Sequence, residues 1–218
     1  RKMKNKKKII LITLLIVIVL VVVSLFVLNS LSTNNEEVEQ TISLVDTQVE
    51  LEKEFVSEGY TIDNPNIIVN PYEISPLTAL VIFETKEEVA PTITIVGKDD
   101  NTTFTHEFDR NTVHYLPIYG LYAGEANEVI IEFGDTEKTI TIETEALPDD
   151  FVLSTSVEAD KSELGNELYF FTPSSSGYTS AYDVNGDVRW YLTINALWEI
   201  NRLDNGHLLV STERLINS

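Results

Sequence analysis

The chain has 218 residues, no cysteine, and a formal net charge of −20, because 35 acidic residues stand against 15 basic ones. Such an acid excess excludes nucleic-acid binding through a basic face and typically forms a solvated surface. Without cysteine, the chain forms neither disulfides nor a lipid anchor on a cysteine. No metal-ligand cluster or phosphate-binding glycine loop stands out in the sequence, so no cofactor is predicted.

The first 28 residues predict a membrane anchor. Residues 1–8 carry six lysine and arginine residues, and residues 9–28 form an apolar run broken only by Thr13 and Ser24. Twenty helical residues span about 30 Å, the thickness of the bilayer hydrocarbon. The positive-inside rule then makes residues 1–8 a cytoplasmic tail of a single-pass protein whose C-terminal part is extracellular or periplasmic. We favour this uncleaved signal anchor over a cleaved signal peptide, whose apolar core is shorter and ends at a small-residue site.

Residues 29–59 predict a helical stalk or linker. Leu51 and Phe55 widen an apolar stripe that recurs at helical spacing, with acidic residues between its members, at Val38, Ile42, Val45, Val49 and Val56. A helix packed on its own domain and a self-associating stalk explain this stripe equally well, so a homodimer stays an open alternative. The stripe is shorter than three full heptads, too short to predict a free coiled coil.

From residue 60 the hydrophobic period changes to two, which predicts an all-β domain over residues 60–147. Turn residues separate seven short candidate strands, the pattern of an immunoglobulin-like sandwich, at residues 67–69, 80–85, 92–96, 102–108, 114–117, 129–133 and 138–143. Pro65, Pro71 and Pro76 punctuate the first two strands. Because proline lacks an amide donor, we expect all three at strand ends rather than inside a central strand.

Residues 148–218 have a different pattern, typical of the first blade of a β-propeller. Short strands are predicted at residues 167–172, 180–183, 188–192 and 208–211. Asn185-Gly186 and Asn205-Gly206 indicate tight hairpins, and we expect both residues of the first pair at positive φ. One blade cannot close a ring or cover its own apolar faces. The chain is therefore expected to be the N-terminal portion of a longer protein.

Residues 70–72 read Asn-Pro-Tyr, and residues 76–79 read Pro-Leu-Thr-Ala. This order resembles the start of the N-terminal domain of bacterial aryl-sulfate sulfotransferases, where a phrase close to Asn-Pro-Tyr-Gly-x-x-Pro-Leu-Thr-Ala leads into a strand. Glu73 stands here in place of the glycine. The resemblance extends from about residue 49 to residue 218.

The resemblance implies an N-terminal sandwich followed by a six-bladed propeller, which is incomplete in this chain. It also implies transfer of a sulfuryl group from a phenolic sulfate ester to an acceptor phenol, without a nucleotide cofactor. In that chemistry a histidine of the propeller attacks sulfur, and cationic groups stabilise the sulfate oxygens. The family's catalytic residues come from later blades and match no position here. We therefore predict no catalytic, cofactor-binding or metal residue, and expect the chain alone to be inactive.

Three histidines and one arginine are the candidates for reactive groups in this chain. His106 is expected to make a cross-strand hydrogen bond in the sandwich, and His114 to lie in a loop or at a sheet edge. His207 follows Asn-Gly, so its place at a hairpin exit explains it. Arg189 could reach a propeller funnel, although an exposed strand arginine is more common. Residues 119–122, Tyr-Gly-Leu-Tyr, are expected to cross between the two sheets and fill the end of the core with their aromatic rings.

Two other functions fit the same architecture. Sandwich and propeller folds both serve as recognition scaffolds, so a surface binding module is the main alternative, and the outer part of a membrane sensor is the third. Histidines and an arginine that converge at the centre of a propeller would favour the enzyme. An aromatic-lined groove without them would favour binding.

Overall fold

The computed structural model of the chain describes residues 22–24, 46–153, 158, 164, 166–173, 177–194, 196–202 and 208–212. The chain divides into two compact units, Arg1–Glu54 and Phe55–Ser218. In the first unit residues 22–24 and 46–51 are helical, and a 3-10 turn follows at Glu52–Glu54. No helix within these described ranges is long and apolar enough to cross a membrane. The predicted anchor at residues 9–28 lies outside them apart from residues 22–24, and stays a prediction.

The predicted stalk helix ends earlier than its apolar stripe. Residues 34–45 lie outside the described part, and residues 55–57 are irregular, so the expectation that Phe55 and Val56 continue the helix is wrong. Both residues instead contact the β-sheet unit. The ring of Phe55 meets that of Tyr72 edge-on with centroids 5.5 Å apart, and Asn66 Nδ2 donates to Val56 O at 3.2 Å.

Seven antiparallel strands form the two sheets of the sandwich. One sheet has the order β1-β2-β5 and the other the order β4-β3-β6-β7. The strands are β1 (Asn66–Val69), β2 (Thr78–Val89), β3 (Thr92–Ile95), β4 (Phe104–Glu107), β5 (Asn111–Tyr119), β6 (Ala126–Phe133) and β7 (Thr136–Glu143). All seven predicted strands are therefore present. The fourth begins two residues late, because Asp100–Thr102 form a 3-10 helix.

Alternating side chains of the strands build one core between the sheets. On β6 Val129 and Ile131 are buried, whereas Glu128 before them and Glu132 after them are exposed and Ile130 between them is half-buried. This alternation is the expected consequence of the pleat, which sends successive side chains to opposite faces. The same cluster includes buried residues of β2, β3, β5 and β7, and also Val188 and Tyr191 from the region after the sandwich.

The prolines lie where their missing amide hydrogen does no harm. Pro65 directly precedes β1, and Pro71 and Pro76 lie in the loop between β1 and β2, which confirms the prediction for all three. Pro117 is inside β5, but β5 is an edge strand of its sheet. An edge strand leaves alternate amides unpaired, so proline is tolerated there.

The loop between β1 and β2 contains two residues in the left-handed region. Asn70 has φ +51° and Glu73 has φ +60°. Asn70 Oδ1 accepts from Ser75 N at 2.9 Å, which supports the turn from the side chain. Glu73 has no such advantage, because a left-handed conformation costs a residue with a Cβ about 1–2 kcal/mol. The requirement for positive φ explains why the related phrase has glycine at this position.

The region after the sandwich forms two small sheets. Strands β8 (Tyr169–Phe171), β9 (Ser180–Tyr182) and β10 (Val188–Tyr191) pair in the order β8-β9-β10. Strands β11 (Ala196–Arg202) and β12 (Leu208–Thr212) form a separate hairpin, and β11 had not been predicted. A propeller blade is one sheet of four strands. The described residues do not form such a sheet, so the blade stays a prediction.

The hairpin between β9 and β10 is wider than predicted. Asp183 N donates to Asp187 O at 3.0 Å, and Gly186 N donates to Asp183 O at 2.9 Å. Gly186 has φ +82°, but Asn185 is not at positive φ, so the predicted two-residue turn is wrong. The cause is the Asp183 carboxylate, whose Oδ1 accepts from the amides of Asn185 and Asp187 at 3.0 and 3.1 Å. This side chain favours a three-residue loop with glycine alone in the left-handed position. The second predicted hairpin turn lies outside the described residues.

Candidate functional site

Arg189 on β10 is the largest fully buried side chain among the described residues, so the expectation of an exposed strand arginine is wrong. Its Nε donates to Gly120 O at 2.7 Å, and its Nη1 donates to Thr102 O at 3.0 Å. Nη1 also lies 2.9 Å from Asp183 Oδ2, in an ion pair with no exposed area on either side chain. One guanidinium therefore joins two loops of the sandwich to the hairpin of the following sheet.

Two aromatic rings cover the faces of this guanidinium. Its Cζ atom lies 3.7 Å from the centroid of the Tyr122 ring and 4.7 Å from that of Phe104. Arginine stacks well on aromatic faces because its planar charge is weakly hydrated. Nη2 is buried without a hydrogen-bond acceptor among the described residues. The electron-rich faces of the two rings are therefore the groups that offset part of its positive charge.

The Asp183 carboxylate is as fully engaged as its partner. Its Oδ1 accepts from two backbone amides of its own hairpin, and its Oδ2 accepts from Arg189 Nη1 and, at 3.4 Å, from the Tyr122 hydroxyl. The Tyr122 hydroxyl in turn accepts from Lys98 N at 3.1 Å. A buried ion pair is tolerable only when such extra hydrogen bonds offset the loss of water. We call Arg189, Asp183 and Tyr122 the arginine cluster.

Local sequence explains why two carbonyls point at Arg189. Asp99 caps the short 3-10 helix through a capping box with Thr102, which fixes the direction of the Thr102 carbonyl. Gly97 lies so close that a Cβ there would stand 2.3 Å from Thr102 C. Gly120 has φ +88°, and a Cβ there would lie 3.2 Å from the Phe104 ring. Both glycines are therefore needed by the backbone that receives Arg189.

A second, more exposed pair lies beside the arginine cluster. Lys98 Nζ is 2.9 Å from Asp187 Oδ1, and Asn185 Nδ2 donates to Asp99 Oδ2 at 2.9 Å. The hydrogen bond to Asp187 raises the pKa of Lys98 and outweighs the opposing effect of partial burial. A cavity of about 240 Å³ adjoins this pair, with Lys98, Asp187 and Glu125 in its lining. Arg189 itself is enclosed by protein groups, so this arrangement orients the two regions and offers no free guanidinium to an anion.

An aromatic groove of about 480 Å³ opens on the outside of the β1-β2-β5 sheet and includes one residue of β10. All its lining residues are uncharged. Five of them are aromatic and one is a proline in the same strand as two of the tyrosines: Phe55, Tyr72, Tyr115, Pro117, Tyr119 and Trp190. The three tyrosines are exposed, by 42%, 48% and 56% in chain order. Exposed aromatic side chains that line one concave surface are typical of binding sites.

The histidines do not converge on a common site. His106 is exposed on β4, and its ring meets Phe108 edge-on with centroids 4.7 Å apart. Its backbone pairs with Ile93 of β3, whereas its imidazole makes no hydrogen bond with the described residues. His114 lies on the edge strand β5, as expected, but is buried, with Nε2 2.9 Å from Thr85 Oγ1. Burial lowers the pKa of His114. His207 lies outside the described residues. Within the described part, His, Asp and Glu side chains form no group of three that could hold a metal ion.

Residues 119–122 behave in part as predicted. They lead from β5 in one sheet towards β6 in the other, so the crossing is confirmed. Leu121 and Tyr122 are buried at the end of the core. Tyr119 is exposed and lines the aromatic groove, so the expectation that both tyrosines fill the core is wrong for this one.

Two protein-family models match consecutive parts of the chain. The arylsulfotransferase Ig-like domain matches residues 66–146, and the arylsulfotransferase (ASST) model matches residues 153–218. The chain belongs to the arylsulfotransferase family. A comparison with curated proteins found no match. The immunoglobulin-like character predicted for the sandwich is confirmed by the first of the two models.

The family assignment gives the arginine cluster a position between two arylsulfotransferase regions. Thr102, Gly120 and Tyr122 lie in the Ig-like match, whereas Asp183 and Arg189 lie in the second match. Sequence reasoning missed this cluster. The available indication was an arginine inside a short run of apolar strand residues, Val-Arg-Trp-Tyr, with an aspartate six residues before it across a hairpin.

Proposed function

We propose that the chain forms the N-terminal part of an aryl-sulfate sulfotransferase, in which the sandwich supports a catalytic β-propeller. The observation that carries this proposal is the consecutive match of the two arylsulfotransferase models, in sandwich-then-catalytic order. The donor is a phenolic sulfate ester and the acceptor is a phenol.

The reaction we propose for the whole enzyme passes through a sulfohistidine. A neutral imidazole nitrogen attacks the sulfur of the aryl sulfate; the N–S bond forms, the S–O bond to the ring breaks, and the donor leaves as a phenol after it takes up a proton. The acceptor phenol loses its proton and attacks the same sulfur, which forms the new ester and frees the histidine. Covalent catalysis of this kind divides one difficult transfer into two easier steps. We assign no residue of this chain to either step.

The contribution of this chain is to orient the first propeller blade. The arginine cluster supports this role, because three groups of the sandwich bind Arg189 of β10. The described strands after the sandwich number five in two sheets, whereas a propeller ring requires several four-stranded sheets. We propose that further blades supply the active centre and expect the 218-residue chain alone to be inactive.

The test compares two purified proteins in one assay. The first is the 218-residue chain, and the second is the product of the longest open reading frame that contains it. With 4-nitrophenyl sulfate and excess phenol, we expect release of 4-nitrophenolate only from the second, together with an acid-labile label on histidine from ³⁵S-donor. Release by the 218-residue chain would contradict the division of labour. A longer protein that transfers sulfate from no phenolic ester would contradict the proposal itself.

We further propose that residues 9–28 anchor the protein in the cell membrane, with the sandwich extracellular or periplasmic and the stalk free to pair with a second copy. The apolar length of the run supports the anchor. Intact-mass measurement on protein from the membrane fraction tests it. A mature N-terminus near residue 31 would show cleavage and reject the anchor.

The second candidate function is an extracellular binding or sensor module. The aromatic groove favours it, because its exposed tyrosines have no role in the proposed transfer. The two candidates differ in one measurement. A longer protein with no histidine label and no transfer, but with a saturable ligand in the groove, is a binding module.

A further inference from the structure

The aromatic groove is a linear surface. Tyr115, Pro117 and Tyr119 are alternate residues of β5, so their side chains lie on one face of the strand. A strand rises about 3.3 Å per residue, which makes this row roughly 13 Å long. Tyr72 and Trp190 extend the lining beyond the strand. A single phenol ring occupies about half of such a row, so the groove suits a longer, extended ligand.

A peptide in the polyproline II conformation has the matching dimensions. It rises about 3.1 Å per residue with three residues per turn, so roughly four residues lie along the row. Grooves lined by tyrosine, tryptophan and proline bind such helices because the proline rings stack on the aromatic faces. The conformation is preformed, so little entropy is lost on binding.

The groove also offers hydrogen-bond donors, which a polyproline II ligand requires because its carbonyl groups have no internal partners. Asn70 uses its carboxamide oxygen to accept from Ser75 N, and no described residue accepts from its Nδ2. Among the described residues the Tyr115 hydroxyl makes only a long contact of 3.5 Å with Phe55 O, which a ligand carbonyl can replace.

Charge selects which proline-rich ligand fits. The lining is uncharged, but the chain carries a net charge of −20, and exposed Glu73 stands between the lining residues Tyr72 and Ile74. An uncharged floor accepts proline and other apolar residues. The acidic surroundings attract cationic flanks and repel anions such as an aryl sulfate.

We propose that the aromatic groove binds a proline-rich peptide segment in the polyproline II conformation, with lysine or arginine beside the prolines. The partner is thus a protein with an exposed, basic proline-rich segment. This site is separate from sulfuryl transfer, so the failure of either proposal leaves the other intact.

The test uses the full 218-residue chain in detergent solution and a fluorescein-labelled peptide with a Pro-x-x-Pro core and arginines at one end. Fluorescence anisotropy measures binding, and the control peptide has alanine in place of every proline. We expect the control to bind at least tenfold more weakly. Tyr119→Ala should weaken the proline peptide at least tenfold, whereas Phe171→Ala should leave it unchanged. Phe171 is the matched control, because it is an exposed aromatic residue of β8 outside the groove.

Two further variants separate ring stacking from hydrogen bonding and charge. Tyr115→Phe keeps the ring and should weaken binding severalfold through loss of the hydroxyl. Glu73→Gln should weaken the arginine-flanked peptide but not a version with neutral flanks. Equal binding of the proline and alanine peptides, or no effect of Tyr119→Ala, would overturn the proposal. So would a groove that binds 4-nitrophenol or a neutral oligosaccharide but no proline peptide.

Discussion

The interior of the sandwich and its junction with the following sheet are held together by different kinds of contact. Between the two sheets the contacts are apolar, from buried residues such as Val81, Phe83 and Ile131. At the junction the largest buried group is a charged one, Arg189, bound to a carboxylate, two carbonyls and two rings. Apolar residues also cross the junction, since Val188 and Tyr191 belong to the sandwich core, but among the described residues the buried ion pair lies only there.

Apolar contacts and directional bonds determine different features of the fold. Burial of apolar area is favourable in many relative orientations, because the hydrophobic effect has no direction. A guanidinium has a rigid planar fork, and each donor must meet its acceptor at a fixed angle. The apolar core therefore provides cohesion, and the arginine cluster fixes the angle at which β10 meets the sandwich.

The largest expected effect comes from Arg189→Met. The variant keeps an unbranched apolar side chain but leaves the Asp183 carboxylate buried without its cation and two carbonyls without donors. Removal of one partner of a buried pair typically costs about 3–5 kcal/mol of unfolding free energy. Urea unfolding followed by tryptophan fluorescence measures it, because Trp190 is adjacent to the substituted residue.

The matched control for this variant is Lys98→Met, at the half-exposed pair with Asp187. Exposed pairs contribute less than about 1 kcal/mol, so the control should change stability little. The double variant Arg189→Met with Asp183→Asn should recover part of the loss, because no buried charge remains. Equal, small effects of Arg189→Met and Lys98→Met would show that the junction does not depend on directional bonds.

Within the apolar core, Ile131→Val should cost about 0.5–1.5 kcal/mol of unfolding free energy, through one lost methylene and a small cavity. Ile131 is fully buried, whereas Ile130 beside it on β6 is half-buried, so Ile130→Val is a control with a smaller expected loss. The slope of the unfolding free energy against urea concentration should stay unchanged, since the core can close around a small void without reorientation of the sheets. A loss as large as that of Arg189→Met would erase the contrast between the two interfaces.

Glu73→Gly tests the backbone strain in the loop between β1 and β2. This loop also contacts the region after the sandwich, because Thr193 N donates to Ile74 O at 2.9 Å. Relief of the left-handed conformation gains about 1–2 kcal/mol, and the greater freedom of glycine in the unfolded chain costs about 0.4–1 kcal/mol. The net expectation is a gain of about 0–1.6 kcal/mol in unfolding free energy. Glu128→Gly, at an exposed strand position, should instead destabilise. A loss of stability in both variants would contradict the strain assigned to Glu73.

The smallest expected effect is a pH dependence from His114 in the sandwich. Burial lowers the pKa of this imidazole below its ordinary value of 6.5, so folding favours the neutral form. Its contribution to stability is complete above about pH 6.5 and is lost as the pH falls towards the lowered pKa. The urea midpoint should therefore fall more steeply between pH 7 and pH 5 in the native chain than in His114→Gln. Carboxylates titrate in both proteins, so parallel slopes would rule out a contribution from His114.

Much of the sandwich could be predicted from the sequence because its rules are local. Alternation of residue type predicted every strand of the sandwich, and the positions of Pro65, Pro71 and Pro76 followed from their missing amide hydrogens. The phrase around residue 73 also had a local cause, since Glu73 occupies a backbone conformation that glycine adopts more easily. Period and turn chemistry act over a few residues, so one sequence suffices to recognise them.

The candidate sites could not be predicted because they depend on residues far apart in the chain. The sandwich partners of Arg189, Gly120 and Thr102, lie 69 and 87 positions earlier, and no local pattern connects them. Asn185 was assigned a positive φ from its pairing with glycine, but the Asp183 carboxylate selects a wider loop. Phe55 continued a helical stripe in the sequence, whereas its ring contact with Tyr72 holds it against the sandwich. In each case a tertiary contact overrode a local preference.

The separation between Thr102 and Arg189 also has a consequence in time. The two residues lie 87 positions apart, and synthesis at about 5–20 residues per second separates their appearance by roughly 4–17 s. The capping box at Asp99 joins neighbouring residues only, so we expect it to form well within that interval. We therefore expect the Thr102 carbonyl to be oriented, and hydrated, before Arg189 leaves the ribosome. The sandwich residues that bind Arg189 are therefore synthesised before β10. A nascent chain stalled before residue 189 contains these residues but not the arginine that they bind.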